Sequence, residues 1–310
     1  MELSILLCRQ IMIQFLMMIV GVILKRIRLI SEEGTKALSK LVFFVIMPCA
    51  VFHSFQIEKT GNTLVFFLLT TGFSVCINLL FFIITLLGKK LLALDGIDQA
   101  TLLYPNCSNL IIPLVGGVLG PEWELFCCPY IMIQQLFFFS YGINLIREKK
   151  KHSLKDIFLN VNMIAIFLGI LSFITSWEIP SFIGETIGYF AGMIAPASML
   201  VIGLSIGSVD VKTSFFDAGK LWVCFIRLII MPLSAILLIK ATGICSRYDG
   251  MKQVLFVLVL QAASSSAAMI AQTASVYGKD SRKASILNMM TVIFLIITMP
   301  VNAYIYETLL

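Results

Sequence analysis

Ten long apolar stretches occupy almost the whole of this chain, and only short polar connectors separate them. Each stretch is close to the roughly 20 residues that an α-helix needs to cross a bilayer. The apolar residues are continuous and do not alternate with polar ones, which favours helices over the strands of a membrane barrel. The predicted spans are 3–24, 36–56, 61–88, 99–120, 123–146, 157–177, 181–208, 219–242, 251–277 and 284–307.

Composition supports a membrane environment for the chain. Hydrophobic residues make up 59% of its 310 residues and charged residues only 13%, which is more apolar surface than a water-soluble protein of this size can bury. The widest polar connector, 147–156, is too short to fold into a soluble domain. We therefore expect an all-α integral membrane protein whose function depends on the polar groups that it keeps at membrane depth.

The basic residues predict an orientation in the membrane. Seventeen of the 23 Lys and Arg residues lie in or beside connectors that follow odd-numbered spans, and five lie on the opposite side. Since cytoplasmic loops carry the excess of Lys and Arg, both termini are predicted on the non-cytoplasmic side of the plasma (inner) membrane. The basic runs are thus a topology signal, and we expect no nucleic-acid partner.

Metal and cofactor chemistry is not indicated by the sequence. The eight cysteines show no CxxC spacing, and most fall within apolar spans, where Cys behaves as a small apolar residue. The two histidines, His53 and His152, are near no cluster of Cys or carboxylate residues. We therefore predict no metal site and no cofactor.

Matching features five spans apart suggest an internal duplication. Pro48 in span 2 corresponds to Pro196 in span 7, and small polar residues occur at the centres of spans 4 and 9. Because five is odd, the second half would be inverted in the membrane, as in many secondary transporters. The predicted division is a first repeat at 1–146, a basic cytoplasmic connector at 147–156 and a second repeat at 157–310.

Span 4 carries the strongest local signal, because Pro105 and Pro113 bracket the polar residues Asn106, Ser108 and Asn109. Each proline removes a backbone donor and clashes with the preceding turn, so a continuous helix across both is not expected. Freed backbone groups at this depth must meet protein or a water-filled cavity. The alternative is a kinked helix whose Asn side chains bond to neighbouring helices.

Span 9 has a polar centre without a proline. Gln261 is followed by Ser264, Ser265 and Ser266 among alanines, and these residues permit either close helix packing or contact with a ligand. Arg227 in span 8 is the charged residue deepest in any span. It could extend to the cytoplasmic interface, attract an anion, or bond to the carbonyls of a broken helix.

Residues 203–207 match the GxSxG pattern of serine hydrolases, with Ser205 as the nucleophile. The pattern lies inside an apolar span, and His152 is in the basic connector. Gly203 and Gly207 are better explained as a face that packs closely against another helix. We therefore predict that the protein is not an enzyme, with an intramembrane serine hydrolase kept as an alternative.

The chain resembles the auxin efflux carrier family, including bacterial members and, more distantly, the plant PIN-type carriers. The motifs that carry the resemblance are MPCAVFHSF (47–55), YPNCSNLIIPL (104–114), LGPE (119–122), PASMLVIGLSIG (196–207) and QAASSSAAMIAQTASVYGKD (261–280). The resemblance implies ten transmembrane helices in a five-plus-five inverted repeat, with interrupted helices 4 and 9 that cross. It implies a dimerising scaffold of helices 1, 2, 6 and 7, a transport domain of helices 3–5 and 8–10, and transport of organic anions.

Mapped onto this sequence, the crossover asparagine of the family is Asn106 and its crossover proline is Pro113. This chain departs from the family at Ser108 and Ile111, where Gly is usual, and it lacks the usual Pro near Ser265. The long cytoplasmic loop of many plant carriers is also absent.

The sequence thus predicts a secondary transporter for a small organic anion, such as a carboxylate, embedded in the lipid bilayer as a homodimer. The predicted substrate-binding residues are Asn106, Ser108, Asn109, Pro113, Gln261, Ser264, Ser265 and Ser266. Pro105, Pro113, Pro48 and Pro196 are predicted at the helix crossover or at gating positions, and Arg227 is a possible electrostatic contributor. A membrane sensor without transport activity remains an alternative.

Overall fold

A computed structural model describes residues 2–56, 63–147, 161–175, 179–208 and 217–310. Within these ranges every regular element is a helix, and one isolated bridge joins two extended segments. The helices are α1 (Glu2–Arg26), α2 (Glu32–Ser54), α3 (Thr63–Leu92), α4 (Gly96–Leu103), α5 (Ile111–Val118), α6 (Pro121–Arg147), α7 (Val161–Thr175), α8 (Ser181–Gly207), α9 (Ala218–Thr242), α10 (Met251–Ala262), α11 (Met269–Val276) and α12 (Ser281–Leu309).

Seven helices of the described ranges are long and apolar enough to cross a membrane: α1, α2, α3, α6, α8, α9 and α12. The other three predicted spans are not single helices of that length. Two of them are divided into pairs of short helices, α4 with α5 and α10 with α11, and α7 spans 15 described residues. The predicted membrane-embedded all-α class is therefore supported, whereas helix length does not establish ten crossings. Most of the predicted connector 147–156 lies outside the described residues.

The first interruption follows from local sequence. α4 begins with a capping box, in which the Asp95 side chain accepts from the backbone N–H of Asp98 and the Asp98 side chain accepts from that of Asp95. It ends at Leu103, and the next residue, Tyr104, is extended (φ −114°, ψ 95°), because a residue before proline is disfavoured in the α conformation. The chain becomes helical again at Ile111, two residues before Pro113, so residues 104–110 form a non-helical interruption.

The second interruption has no proline to cause it. α10 ends at Ala262, and the chain is helical again only from Met269. Within residues 263–268, backbone groups of the serine run bond to side chains from α9 and α12 and to the first interruption. These tertiary hydrogen bonds replace the helical ones.

Prolines in two long helices follow π-helical turns. Val42–Ile46 precedes Pro48 in α2, and Ile226–Ile230 precedes Pro232 in α9. A proline leaves the carbonyl four residues earlier without its helical donor. In α9 that carbonyl belongs to Leu228, and the Asn302 side chain donates to it at 2.9 Å. In α8, Pro196 follows a break at Met193.

Glycines allow α1 and α8 to pack backbone to backbone. A Cβ atom added at Gly203 would collide with the carbonyl oxygen of Met18, and one added at Gly207 would lie 2.7 Å from Cβ of Lys25. Ser205, between these glycines, donates its hydroxyl to the carbonyl of Val201 in the same helix at 2.9 Å. The GxSxG residues therefore form a packing face, as the sequence favoured, and not a nucleophile turn.

Charged residues tie helices together at one end of the bundle. Lys25 at the end of α1 lies 2.8 Å from Glu32 at the start of α2. Lys283, at the start of α12, lies 2.7 Å from Asp95 and 2.8 Å from Asp98. Partial burial opposes ionisation of Asp95, but the hydrogen bond and charge of Lys283 and the hydrogen bonds with Asp98 together outweigh this effect and lower the pKa of Asp95. This network fixes the start of the short helix α4.

Candidate functional site

The two interruptions bind directly to each other inside the bundle. An antiparallel bridge pairs Pro105 with Ser266. The backbone N–H of Asn106 donates to the Ser265 carbonyl at 2.7 Å, and that of Ala267 donates to the Tyr104 carbonyl at 2.9 Å. Each interruption lacks helical hydrogen bonds, and each therefore pairs some of its backbone N–H and C=O groups with those of the other. An apolar environment requires such pairing.

Arg227 joins the ends of both short helices that lead into the interruptions. Its side chain is fully buried, and it donates to the carbonyls of Leu102 near the end of α4 (3.3 Å), Ala262 at the end of α10 (2.8 Å) and Ser264 (2.9 Å). A cation is favourable at helix carboxyl ends, where unpaired carbonyls concentrate negative charge. Of the three roles considered for Arg227, the structure shows bonding to the carbonyls of broken helices.

Buried amide side chains satisfy further carbonyls of the interruptions. Gln134 of α6 donates to the carbonyl of Pro105 at 2.6 Å, and Gln14 of α1 donates to that of Leu110 at 3.2 Å. Gln261 donates to the carbonyls of Cys107 (3.2 Å) and Cys127 (3.0 Å). The carbonyl oxygens freed by the first break are therefore held by side chains from several helices.

A cavity lies beside the crossing; the empty space in and around it is about 700 Å³ including open solvent, and the centre of a water-sized sphere can occupy about 50 Å³ of it. Its wall combines the two interruptions with α2, α6 and α8. The polar residues of the wall are Ser39, Asn106, Ser108, Asn109, Gln134, Gln135 and Ser198. The apolar ones include Val42, Phe43, Met47, Ile131, Val201 and Ile202. The π-helical turn of α2 contributes Val42 and Phe43, so this irregular turn shapes the wall.

The amino-terminal ends of two short helices meet this cavity. Asn109 precedes α5 and Ala268 precedes α11, and both residues line the wall. Leu110, at the start of α5, makes no side-chain capping bond. Backbone N–H groups at helix starts carry partial positive charge and favour anions. Arg227 occupies the carboxyl ends of α4 and α10. The helix ends that meet the cavity are therefore the amino-terminal ends of α5 and α11, and these determine its polarity.

The structure separates the predicted site residues into two groups. Asn106, Ser108 and Asn109 line the cavity together with Pro105, whereas Pro113 is buried within α5 and is not in the wall. Gln261 and Ser264–Ser266 are buried behind the cavity wall, where they bond within the crossing. The second interruption instead contributes Ala267, Ala268 and Met269 to the wall. Pro48 and Pro196 are outside the wall as well, each one or two residues from a residue that lines it.

Four polar wall residues were absent from the predicted site: Ser39, Gln134, Gln135 and Ser198. The two glutamines had a sequence signal, since amides are uncommon in an apolar span and demand hydrogen-bond partners. Ser198 had none, because one serine in a helix is ordinarily explained by a bond to its own backbone.

Comparison with known proteins identifies the family of this chain. A family model described as "Membrane transport protein" matches residues 7–303, almost the whole chain. An uncharacterized transporter of Methanocaldococcus jannaschii is 25% identical over 250 residues, which cover 76% of this chain and 79% of that protein. The resemblance to the auxin efflux carrier family is thereby confirmed. The chain is a multi-pass membrane protein and belongs to the membrane transport protein family.

Proposed function

We propose that the protein is a secondary transporter for a small organic anion, which binds in the cavity beside the crossing. The observation that supports this proposal most strongly is the arrangement of the four short helices. The carboxyl ends of α4 and α10 meet Arg227 inside the protein, and the amino ends of α5 and α11 meet the cavity. A carboxylate can therefore be bound by backbone dipoles without any cationic side chain in the wall.

Asn106 is proposed as the side chain that contacts the carboxylate. It is buried, it lines the cavity, and its Nδ2 has no hydrogen-bond partner among the described residues. Ser108 and Asn109, at the entry to α5, complete the proposed contact. Gln261 and Ser264–Ser266 are assigned the supporting role of holding the crossing in shape.

The proposed transport cycle moves one group of helices against another. The scaffold would comprise α1, α2, α7 and α8 and would dimerise, and the moving group would comprise α3–α6 and α9–α12. With α4–α5 and α10–α11 each counted as one crossing, the chain has ten crossings in two inverted halves. Support comes from the equivalent interruptions in the two halves and from the cavity wall, which combines α2 and α8 with the crossing. The excess of Lys and Arg residues in the connectors that follow odd-numbered spans supports an orientation in the plasma membrane with both termini outside.

The test is carboxylate uptake into proteoliposomes that contain purified wild-type protein or the Asn106→Ala variant. Loss of a hydrogen bond to a charged group costs about 1.5–3 kcal/mol, so uptake should fall at least about tenfold. Asn144→Ala is the matched control, because Asn144 is an asparagine of α6 outside the cavity wall. Unchanged uptake by Asn106→Ala would overturn the assignment of the site. Ligand-induced thermal stabilisation without any flux in the wild type would instead indicate a sensor.

A further inference from the structure

Several buried polar atoms at the cavity wall lack a hydrogen-bond partner within the described part of the chain. The hydrogen-bond donors are Nδ2 of Asn106, Nε2 of Gln135 and the hydroxyl of Ser198. The acceptors are Oδ1 of Asn109, Oε1 of Gln134 and Oε1 of Gln135. Native proteins pair most of their buried polar atoms, so a group of unpaired ones around one cavity indicates atoms that a ligand satisfies.

A carboxylate can satisfy only half of this set. It accepts hydrogen bonds and has no proton to donate, so it can match the three donors but not the three amide oxygens. Rotating a free amide by 180° exchanges its oxygen and nitrogen and still leaves one oxygen unpaired. The orientation of Gln134 is moreover determined by its contact with Pro105, since only the nitrogen can donate to that carbonyl at 2.6 Å. Its Oε1 is therefore an acceptor that needs a donor.

The remaining wall argues against a second carboxylate on the ligand. The described residues that line the cavity include no Lys, Arg, Asp or Glu, and one side of the wall is apolar, with Val42, Phe43 and Ile131 among its residues. A second carboxylate would meet either amide oxygens or hydrocarbon, and both are unfavourable partners for an anion.

We infer that the substrate is a carboxylate that also carries a hydrogen-bond donor near the carboxylate, such as a hydroxyl or an ammonium group. The carboxylate meets Asn106 and the start of α5, and the donor meets the amide oxygens of Gln134 and Gln135. This inference rests on the proposed function, and it adds a requirement that anion binding alone does not contain. Gln135 is a specificity-determining residue in this arrangement, because neither of its polar side-chain atoms has a protein partner in the described structure.

The experiment compares compounds that differ only at carbon 2. Propionate, lactate and alanine share one skeleton and carry hydrogen, hydroxyl and ammonium at that carbon. A second series, 3-phenylpropionate, 3-phenyllactate and phenylalanine, repeats the comparison with a side chain suited to the apolar wall. Apparent affinity is measured for each compound by uptake into proteoliposomes or by competition with the transported member. In at least one series, a compound with a donor should bind about tenfold or more tightly than the compound without one, because sites built for a donor discriminate against its loss.

A variant connects this preference to the wall. Gln135→Met keeps the length of the side chain and removes the amide, so the affinity for the donor-bearing compound should fall more than the affinity for the plain carboxylate, and the preference between them should fall several-fold. Gln56→Met is the control, because Gln56 bonds to Ser172 outside the cavity and its loss should leave the preference unchanged.

The outcomes separate this inference from the proposed function. Equal affinity for all members of both series, or preference for the plain carboxylates, would overturn the inference and leave anion transport intact. An undiminished preference in Gln135→Met would also overturn it. Transport of none of the six compounds would count against the proposed function and against this inference with it.

Discussion

Arg227 shows how one buried charge can stabilise an irregular backbone in a membrane. Its guanidinium group is rigid and planar, so it can reach carbonyls of two different helices at once. The three acceptors, at Leu102, Ala262 and Ser264, lie 2.8–3.3 Å from its nitrogens. No carboxylate balances the charge within these described contacts, and the helix ends themselves take that role.

Replacing Arg227 by methionine should destabilise the protein and abolish transport. Each buried carbonyl left without a donor costs roughly 1–3 kcal/mol. Arg227→Lys should retain part of the stability, since lysine keeps the charge but lacks the fork of donors. The measurement is thermal unfolding in detergent, followed by size-exclusion chromatography. Arg9→Met, at an exposed position of α1, is the control. Equal unfolding temperatures for Arg227→Met and Arg9→Met would contradict this role.

Ser205 provides a residue-scale test of the enzyme alternative. In the described part of the chain its hydroxyl donates to the carbonyl of Val201, in the same helix. Ser205→Ala should therefore leave both stability and transport within about 0.5 kcal/mol of wild type, the usual range for sites that lack a special role. An activity that disappears in this variant while the protein remains folded would support the hydrolase.

At the scale of elements, the contact between α1 and α8 depends on residues without side chains. Gly203→Val should disrupt it, because the backbone of α1 lies where the new Cβ would be. We expect the free energy of unfolding to fall by about 1–3 kcal/mol, or the variant protein to fail to accumulate, because the two helices must move apart to accommodate the new side chain. Gly184→Val is the matched control in the same helix, where an added Cβ would meet nothing within 4 Å. Unfolding temperature and expression level provide the comparison. A similar decrease for both variants would mean that helix propensity, and not the close contact, determines the effect.

The sequence could predict the first interruption but not the structure of the second. Pro105 and Pro113 act through local sterics, which a sequence displays directly. The second break is produced by hydrogen bonds from Arg227, Thr291 and Asn288, all distant in the chain, so no local pattern in its serines could establish it. The structure places Asn106 in the cavity wall and Gln261 behind the wall, and no local pattern in the sequence separated these two predicted site residues. Helix length in the structure also does not identify the two divided spans as membrane crossings, because each half is too short to cross a bilayer.

At the scale of the whole molecule, transport would require α2 and α6 to separate during the cycle. Their closest described polar contact joins the Ser54 hydroxyl to the Cys128 sulfur at 3.1 Å. This contact offers a position at which the proposed movement can be stopped by a covalent bond.

Ser54→Cys should form a disulfide with Cys128 on oxidation, and uptake should then fall about tenfold or more and recover on reduction. The physical reason is that a covalent link prevents rigid-body movement of one helix group against the other. Uptake in proteoliposomes is measured before oxidation, after oxidation and after reduction. Ser54→Cys combined with Cys128→Ser is the control, and it should not respond. Full activity in the cross-linked protein would mean that these helices do not need to move apart.

The antiparallel pairing of Pro105 with Ser266 has a consequence for biosynthesis. When residues 102–107 leave the ribosome, donors for several of their carbonyls have not been synthesised: Arg227 lies 125 residues after Leu102, and Gln261 lies 154 residues after Cys107. We therefore expect the nascent amino-terminal half to stay in or near the translocon while these carbonyls lack donors, because lipid cannot supply hydrogen bonds to them. Fragments that stop before the ninth apolar stretch should be degraded, whereas two halves expressed together from separate genes should rescue each other.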